Sequence, residues 1–216
     1  MSRTRFEMHF HTKESSPCGK VPAKTGVDLY QKAGFNGIVV TDHFSKSVYG
    51  GPEGEDWEEI CNKFLRGYHL AKDAAKESDF QIFLGMEIRF PHDENDFLLY
   101  GINEEFVRRN PWIYMEELDR LYEIARKENL LIVQAHPFRN NCFLASVELL
   151  HGIEVFNGNP NHDSRNDLAA EAAKRHNLIK IIGSDFHRIG DISDKRFELE
   201  GMPISEQELV MLIKSK

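Results

Sequence analysis

The sequence predicts an α/β fold in the form of a small or distorted (β/α) barrel. Along the 216 residues, about seven short apolar runs alternate with stretches of helical periodicity, a pattern typical of parallel β–α units. The length suits one such barrel, and no repeat, linker or low-complexity tract interrupts it, so residues 1–216 are expected to form a single domain. An open doubly wound sheet is the alternative, although no glycine-rich phosphate loop follows the first apolar run.

The predicted strands are short apolar runs, and the segments between them have the three- and four-residue spacing of amphipathic helices. In chain order the strands cover residues 6–11, 37–41, 80–88, 97–102, 130–134, 152–156 and 179–183. Predicted helices cover residues 27–33, 57–77 and 167–176, and the first of them stops at Gly34.

Two further helices are predicted from their N-terminal residues. Asn110 suits an N-cap and Pro111 suits a first helical turn, so a helix is expected to begin there. Its apolar face would consist of Leu118, Leu121, Ile124 and Ala125. Ser205 and Glu208 have the spacing of a capping box and predict the last helix.

Composition excludes several classes of function. The 27 Lys and Arg residues against 35 Asp and Glu give a formal net charge of −8, which disfavours a long nucleic acid or a membrane surface as partner. No apolar run approaches the roughly 20 residues of a membrane span. The three cysteines form no C-x-x-C pair or disulfide framework. The segment from Met1 to Arg5 leads directly into a strand, so we expect no signal peptide and a cytoplasmic location.

Residues with metal-ligating side chains stand at the ends of separate predicted strands. In a barrel, these carboxyl ends meet at the mouth of the active site. His9 and His11 are two residues apart, so their imidazoles share one face of a strand. The other members of the set are His43, Glu87, His136, Asp185 and His187. The joint pattern favours more than one divalent ion held by nitrogen and oxygen ligands, and hence zinc, manganese or iron.

Each of these motifs also has a structural interpretation when it is considered alone. Glu87 could pair with Arg89. Asp42 could bind a metal or orient a neighbouring ligand, but it could instead cap a helix. Asp96 follows other acidic residues that could form a solvated loop. The histidines interpreted as structural or surface residues are His69, His92, His151 and His176.

The order and identity of the motifs resemble the PHP (polymerase and histidinol phosphatase) superfamily. The matching segments are His9-x-His11-Thr12, Thr41-Asp42-His43, Gly85-x-Glu87, His136-Pro137, Glu154-Val-Phe-Asn157 and Gly183-Ser-Asp185-x-His187. The resemblance covers about residues 5–190. It implies a distorted (β/α)7 barrel with two or three divalent ions at its mouth.

The resemblance also implies which residues hold each ion. The first ion would be held by His9, His11, Glu87 and Asp185. Glu87 would bridge to a second ion, completed by His136 and by Asp96, which stands where the family usually has a histidine. His43 and His187 would hold a third. The family often has an Asp or His some residues after its first motif, and the candidates here are Glu14 and Cys18.

The resemblance implies phosphoester hydrolysis, and we expect a metal-dependent phosphomonoesterase similar to the histidinol phosphatases. A metal-activated hydroxide would attack the phosphorus of a small phosphorylated metabolite or nucleotide. Arg139 and His162 are the candidate catalytic residues, and Arg139, His162 and Arg165 are the candidates to bind the substrate, with surface salt bridges as their alternative role. The alternative functions are hydrolysis of a C–N or C–O bond and non-catalytic metal binding. The sequence does not specify the oligomeric state.

Overall fold

A β-sheet that curls into a nearly closed barrel forms the centre of the fold. The computed structural model describes residues 3–54 and 56–216. Met1 and Ser2, which begin the segment that argues against a signal peptide, lie outside the described residues. The strands are β1 (Arg3–Phe10), β2 (Gly37–Val40), β3 (His43–Ser45), β4 (Gln81–Arg89), β5 (Phe97–Tyr100), β6 (Leu131–Gln134), β7 (Gly152–Asn157), β8 (Ile179–Gly183) and β9 (Phe197–Glu200). Every predicted strand is therefore confirmed, and β3 and β9 are additional.

The helices occupy the connections between strands. They are α1 (Ala23–Lys32), α2 (Lys46–Tyr49), α3 (Trp57–Ala75), α4 (Glu104–Arg109), α5 (Leu118–Glu128), α6 (Asn166–His176) and α7 (Glu206–Lys214). The three helices predicted from periodicity correspond to α1, α3 and α6. At α7, the Ser205 side chain accepts a hydrogen bond from the Glu208 backbone nitrogen at 3.2 Å, as the predicted cap requires. The Glu208 carboxylate accepts one from the Ile204 nitrogen at 3.0 Å.

The helix predicted to begin at Asn110 begins instead at Leu118, so that prediction is wrong about the start. Trp112 has a left-handed φ of 59°, and residues Ile113–Met115 form a 3-10 turn that interrupts α-helical hydrogen bonding. Asn110 follows the end of α4, where its side chain donates to the Phe106 carbonyl oxygen at 2.8 Å. The residue that suits an N-cap therefore stabilises the end of the preceding helix.

The strand order around the sheet is β8-β7-β6-β5-β4-β2-β1-β9, with β3 paired to β4 beside this path. Neighbouring strands are parallel except at the β4–β5, β5–β6 and β1–β9 pairs. The expected parallel arrangement is thus wrong for β5, because the connection from Arg89 to Phe97 is shorter than the dozen or so residues that a crossover needs. A parallel bridge between Phe10 and Phe186 joins β1 to the segment after β8. The fold is the distorted barrel that the sequence predicts.

Apolar side chains pack on both faces of this sheet, because alternate strand residues point to opposite sides. On β2, Ile38 and Val40 pack with the surrounding helices, whereas Val39 packs inside the barrel with Phe6 and Phe83. Helix α7 contributes its buried apolar side chains to the interior cluster. Along β1, β4 and β8, the interior residues Met8, Phe83 and Ile181 precede His9, Glu87 and Asp185 in the sequence. The polar groups therefore collect at the carboxyl ends of the strands.

None of the helices within residues 3–54 and 56–216 combines the length and the apolar character that crossing a membrane would require.

Candidate metal centre

The carboxyl ends of β1, β4 and β8 and the segment after β6 bring the predicted ligands into one cluster. Glu87 and Asp185 lie at its centre, and both residues are buried. Around these two carboxylates lie the imidazoles of His9, His11, His43, His136, His162 and His187. Asp96 lies beside the cluster, near Glu87 and His43. All eight residues that the sequence predicts as metal ligands are thus neighbours in space.

Glu87 contacts four of the histidines. It reaches the interior from β4, where it is paired in register with His43 of β3. Its carboxylate oxygens lie 2.8 Å from His43 Nδ1, 3.2 Å from His136 Nε2, and 3.3 Å from both His9 Nε2 and His11 Nε2. A single carboxylate at the centre of four imidazoles is suited to bridge two cations, as the family resemblance implies.

Asp185 completes the other side of the cluster. Its carboxylate oxygens lie 3.2 Å from His162 Nε2, 3.3 Å from His187 Nδ1, 3.4 Å from His11 Nε2 and 3.5 Å from His9 Nε2. His9 and His11 therefore lie between the two acids. This is the arrangement expected of the first predicted ligand set.

The electrostatics of the cluster show strong mutual stabilisation of opposite charges in the metal-free state. Burial alone would raise the pKa of Glu87, but the charges of His43 and His9 hold the pKa of this carboxyl well below its usual range. Asp185 behaves in the same way, with His9 the largest opposing influence. Burial would lower the pKa of His136, but its contacts with Cys142 and Glu87 raise the pKa to about 10.

Four buried atoms of the cluster show that a cation fits. His9 Nε2, His11 Nε2 and both carboxylate oxygens of Glu87 face one another at ion-pair distances but make no hydrogen bond of regular geometry. Buried polar atoms without partners are rare because each one costs free energy. The donor set of imidazole nitrogens and carboxylate oxygens is the type that binds zinc, manganese or iron. The residues present therefore fit the divalent ions that the sequence predicts.

The backbone is strained at two of the predicted ligands. His136 has a φ of 28° and Asp185 a φ of 53°, in the left-handed region that favours glycine. Leu131 and Val133 of β6, and Ala135 directly after it, already belong to the interior cluster. Strict alternation would therefore direct His136 away from the interior, and its unusual φ accompanies the turn into the site. Strain of this kind is typical of functional sites.

Asp42 accepts three hydrogen bonds from the residues that follow the first histidine motif. Its Oδ1 accepts hydrogen bonds from the Thr12 nitrogen at 2.7 Å and from Ser16 Oγ at 2.6 Å, and its Oδ2 accepts one from Thr12 Oγ1 at 2.7 Å. Ser16 Oγ lies 3.2 Å from His11 Nδ1. A side chain at Gly67 of α3 would overlap this network, because a Cβ there would lie 2.0 Å from Thr12 Oγ1. Of the three roles that the sequence allows for Asp42, orientation of a neighbouring residue agrees with these contacts.

Glu154 orients two other ligands, and sequence reasoning gave it no role beyond membership of a motif. Its Oε1 lies 3.0 Å from His9 Nδ1, and its Oε2 accepts hydrogen bonds from the His136 nitrogen and Asn157 Nδ2, both at 2.9 Å. Histidines that bind metals commonly donate their second N–H to such a carboxylate, which fixes the ring and its tautomer. The sequence feature that could have indicated this role of Glu154 is its position as the one carboxylate within a buried apolar strand.

We expect Glu154→Gln to weaken zinc binding by about 10- to 100-fold, the usual effect of losing such a partner. If the glutamine NH₂ faces His136 and Asn157, both hydrogen bonds are lost, and if it faces His9 Nδ1, a donor replaces the carboxylate oxygen there, so neither orientation of the amide replaces the carboxylate. Calorimetric titration of the metal-free protein with zinc measures the effect. Glu148→Gln, at an exposed position shortly before β7, is the matched control. Equal affinity in the two variants would show that Glu154 does not position His9.

Comparison with known proteins identifies the family. The sequence model of the PHP domain matches residues 7–213. The chain belongs to the PHP domain family. No curated protein matches this PHP domain. Membership confirms the resemblance inferred from the motifs and supports a metal-dependent hydrolase.

Several solved structures share the fold of this PHP domain. PsfC from Pseudomonas syringae has a TM-score of 0.68 at 16% identity, covering 98% of this chain and 88% of its own. A two-domain protein from Bacteroides vulgatus that contains a predicted PHP-like metal-dependent phosphoesterase has a TM-score of 0.60 at 18% identity, covering 86% of this chain. The match spans 52% of that protein. An amidohydrolase from Chromobacterium violaceum, with bound sulfate and no metal, has a TM-score of 0.53 at 14% identity, covering 96% and 95%. At these identities the likeness shows the fold.

Asp96, where PHP domains usually have a histidine, is engaged by two arginines. Arg89 binds it through two hydrogen bonds, with Nε donating to Oδ1 at 2.7 Å and Nη2 donating to Oδ2. Arg139 Nη2 donates to Oδ2 at 3.1 Å. His136 Nε2 is 3.8 Å from Asp96. The predicted ligand is thus close to the second site, but in this state its charge is balanced by guanidinium groups.

A small cavity opens at the mouth of the PHP barrel. Its volume is about 270 Å³, and its charged lining includes Arg89, Arg139, Arg188, His43, His162 and His187. Two predicted substrate contacts, Arg139 and His162, therefore line it. Arg165 does not, because its Nη2 donates to Asn140 Oδ1 at 3.1 Å outside the cavity. Arg188, which the sequence did not single out, lines the cavity and donates to Asn161 Oδ1 at 2.9 Å.

Glu14 and Cys18, the two candidate ligands in the loop after the first motif, have different surroundings. Glu14 accepts a hydrogen bond from the Ala23 nitrogen at 3.0 Å and so stabilises the start of α1. Cys18 Sγ lies 3.1 Å from His187 Nε2. Burial raises the pKa of Cys18, but hydrogen bonds with His187 and His43 outweigh it and lower the pKa to about 5. Of the two side chains, only that of Cys18 contacts the cluster of this PHP domain.

The histidines that the sequence assigns to structural or surface roles lie away from the cluster. His69 pairs with Glu104 at 3.0 Å, and His151 Nδ1 accepts a hydrogen bond from the Ile132 nitrogen at 3.1 Å. His176 lies in the last turn of α6, and His92 is exposed in the loop after β4.

Proposed function

We propose that the protein is a metal-dependent phosphoesterase that hydrolyses a small phosphomonoester. The observation that carries this proposal is the cavity of about 270 Å³, in which Arg139 and Arg188 stand beside the cluster of Glu87 and Asp185. Guanidinium groups bind phosphate oxygens through paired hydrogen bonds, so these arginines fit an anionic group at this place. The limited volume favours a small phosphorylated metabolite or nucleotide.

The two arginines retain donors for a substrate. Arg139 contacts Asp96 through Nη2, and Arg188 contacts Asn161 through Nη1. A guanidinium has five N–H donors, so each still has several to offer. The net charge of −8 does not oppose this binding, because part of it belongs to carboxylates that divalent cations would neutralise.

Different residues of the cluster and the cavity would bind the ions and the phosphate. His9, His11, Glu87 and Asp185 would hold the first divalent ion, and Glu87 would share a second with His136. The bound ions would supply Lewis-acid activation of water and of the phosphoryl group. Arg139 and Arg188 orient the phosphate and offset the negative charge that develops on its oxygens.

His162 is placed to protonate the leaving group. It lines the cavity, and its Nε2 lies 3.2 Å from Asp185 while its Nδ1 lies 3.0 Å from Ser164 Oγ. About a fifth of the side chain, 22%, is exposed, so the ring is accessible to substrate. The contact of Nδ1 with Ser164 orients the ring, and Nε2 would be free to protonate the leaving group when Asp185 binds a metal ion instead.

We expect His162→Asn to affect substrates according to their leaving groups. Hydrolysis of an alkyl phosphate should fall by about 100-fold or more, because an alkoxide leaves poorly without a proton. Hydrolysis of p-nitrophenyl phosphate should fall by less than about 10-fold, because p-nitrophenolate leaves as an anion. Steady-state kinetics on both substrates give the comparison, with His92→Asn as the control at an exposed position. Equal losses on the two substrates would show that His162 acts only as a ligand or a structural residue.

The proposed reaction is tested by a substrate screen. The protein is loaded in turn with zinc, manganese and iron, and each form is assayed on an aryl phosphomonoester, an aryl phosphodiester, an anilide and a lactone. We expect turnover of the monoester. Activity on the anilide or lactone alone would favour C–N or C–O hydrolysis, the reaction class that the name of the Chromobacterium violaceum neighbour suggests for that protein. Full metal occupancy without turnover would favour a non-catalytic metal-binding protein.

A further inference from the structure

The loop between β1 and α1 holds Cys18 against the cluster. The Lys20 nitrogen donates to the His187 carbonyl oxygen at 2.9 Å, and the Gly19 nitrogen donates to the Ser16 carbonyl oxygen at 3.0 Å. Ser16 in turn donates to the buried Asp42. These bonds fix the backbone on both sides of Cys18, so the backbone of the loop holds its Sγ 3.1 Å from His187 Nε2.

Three imidazoles lie beside this thiol. Ligand atoms of His11, His43 and His187 all lie within 4.8 Å of one another, which is close enough to share one cation. The ring centroid of His11 is 4.4 Å from that of His43 and 4.3 Å from that of His187. His11 Nε2 is fully buried and has no hydrogen-bond partner. This nitrogen faces Glu87 at 3.3 Å and Asp185 at 3.4 Å, where the first predicted ion would bind, so His43 and His187 are the imidazoles of this group that remain for Cys18.

The other contacts of these rings leave the required nitrogens available. His187 Nδ1 lies 2.8 Å from the Asp185 carbonyl oxygen, which can only accept a hydrogen bond. His187 therefore carries its proton on Nδ1, and the lone pair on Nε2 faces Cys18. His43 Nδ1 is held by Glu87 at 2.8 Å, which leaves its Nε2 free of that contact.

We propose that Cys18 is a metal ligand that completes a sulfur-coordinated zinc site with His43 and His187. In tetrahedral zinc sites the Zn–S and Zn–N distances place sulfur and nitrogen roughly 3.6 Å apart, so the observed separation needs to widen by only about 0.5 Å. A thiolate is a soft ligand that selects zinc over manganese. The site would thus differ in metal preference from the centre of Glu87 and Asp185. The inference concerns metal binding alone and does not depend on the reaction proposed above.

X-ray absorption of the zinc-loaded protein tests this site without measuring activity. The wild type should show sulfur in the zinc shell at about 2.3 Å. Cys18→Ser should lose that sulfur while the nitrogen and oxygen shell of the remaining zinc persists. Cys61→Ala, which removes a buried thiol on α3 outside the cluster, should retain the sulfur shell. Absence of sulfur in the wild type, or its persistence in Cys18→Ser, would overturn the proposal.

A second measurement uses the unmutated chain. Cys18 is exposed, whereas Cys61 and Cys142 are buried, so iodoacetamide should alkylate Cys18 first in the metal-free protein. Saturating zinc should slow this alkylation by at least 10-fold, and a chelator should restore the rate. An alkylation rate that zinc does not change would contradict thiolate ligation even if Cys18→Ser failed to fold.

Discussion

Glu87→Gln is expected to reduce phosphomonoester hydrolysis by at least about 100-fold, because partners that only orient a ligand already cost 10- to 100-fold when lost. Glu87 contacts His9, His11, His43 and His136 within 3.3 Å. Asp185 also approaches four imidazoles, but at the longer distances of 3.2 to 3.5 Å. The amide of glutamine carries no charge and offers one oxygen in place of two. The variant should therefore also bind fewer divalent ions per chain.

The measurement combines steady-state kinetics on an aryl phosphate with metal analysis of the dialysed protein. Glu94→Gln is the matched control, because it removes an exposed acid from the loop that follows the same strand. Glu87→Ala provides a second variant at the same position. If wild type and either Glu87 variant hydrolyse the substrate at the same rate, the proposed mechanism is wrong.

Removal of divalent ions is expected to lower the melting temperature by about 5–11 °C. An ion that binds only the folded state, at a free concentration 100 times its dissociation constant, stabilises that state by about 2.7 kcal/mol. For a chain of this length each kcal/mol corresponds to about 2–4 °C. Thermal unfolding with zinc and with a chelator gives the difference, and excess zinc should restore the original value. A chelator that leaves the melting temperature unchanged would show that the cluster holds no ion.

The effect of the metal on stability should increase with pH. In the metal-free protein the pKa of His136 rises from 6.5 to about 10. Protonated His136 therefore stabilises the folded state fully below about pH 6.5, and this stabilisation is lost as the pH rises toward 10. Glu87 and Asp185 have lowered pKa values, so their contribution is complete above about pH 4.5 and is lost as the pH falls through those values. Divalent ions instead require unprotonated ligands and bind more tightly as the pH rises.

The difference in melting temperature between loaded and metal-free protein should thus be larger at pH 8 than at pH 6. Glu87→Gln should show a smaller difference at both values, because it retains fewer ions. A difference that shrinks between pH 6 and pH 8 would contradict this coupling.

The strands and most ligands could be predicted because short-range rules determine them. Period-two spacing places His9 and His11 on one face, and a carboxylate after an apolar run, such as Glu87, needs a compensating partner. The role of Glu154 could not be predicted, because it depends on which strands become neighbours. The same is true of Asp96, whose partner Arg139 is 43 residues away. The packing of two loops brings Arg188, rather than Arg165, to the cavity. No local pattern in the sequence indicates which of the two arginines lines it.

The bridge between Phe10 and Phe186 has a consequence for when the protein can acquire metal. Phe10 lies between His9 and His11, and Phe186 lies between Asp185 and His187, so the barrel closes through the same residues that complete the centre. Across this closure, the Glu7 carboxylate accepts a hydrogen bond from the Ser184 nitrogen, 177 residues away. A chain still emerging from the ribosome therefore has its first two histidines long before their aspartate partner. A metal ion could therefore bind the complete centre only after Asp185 and His187 have been synthesised.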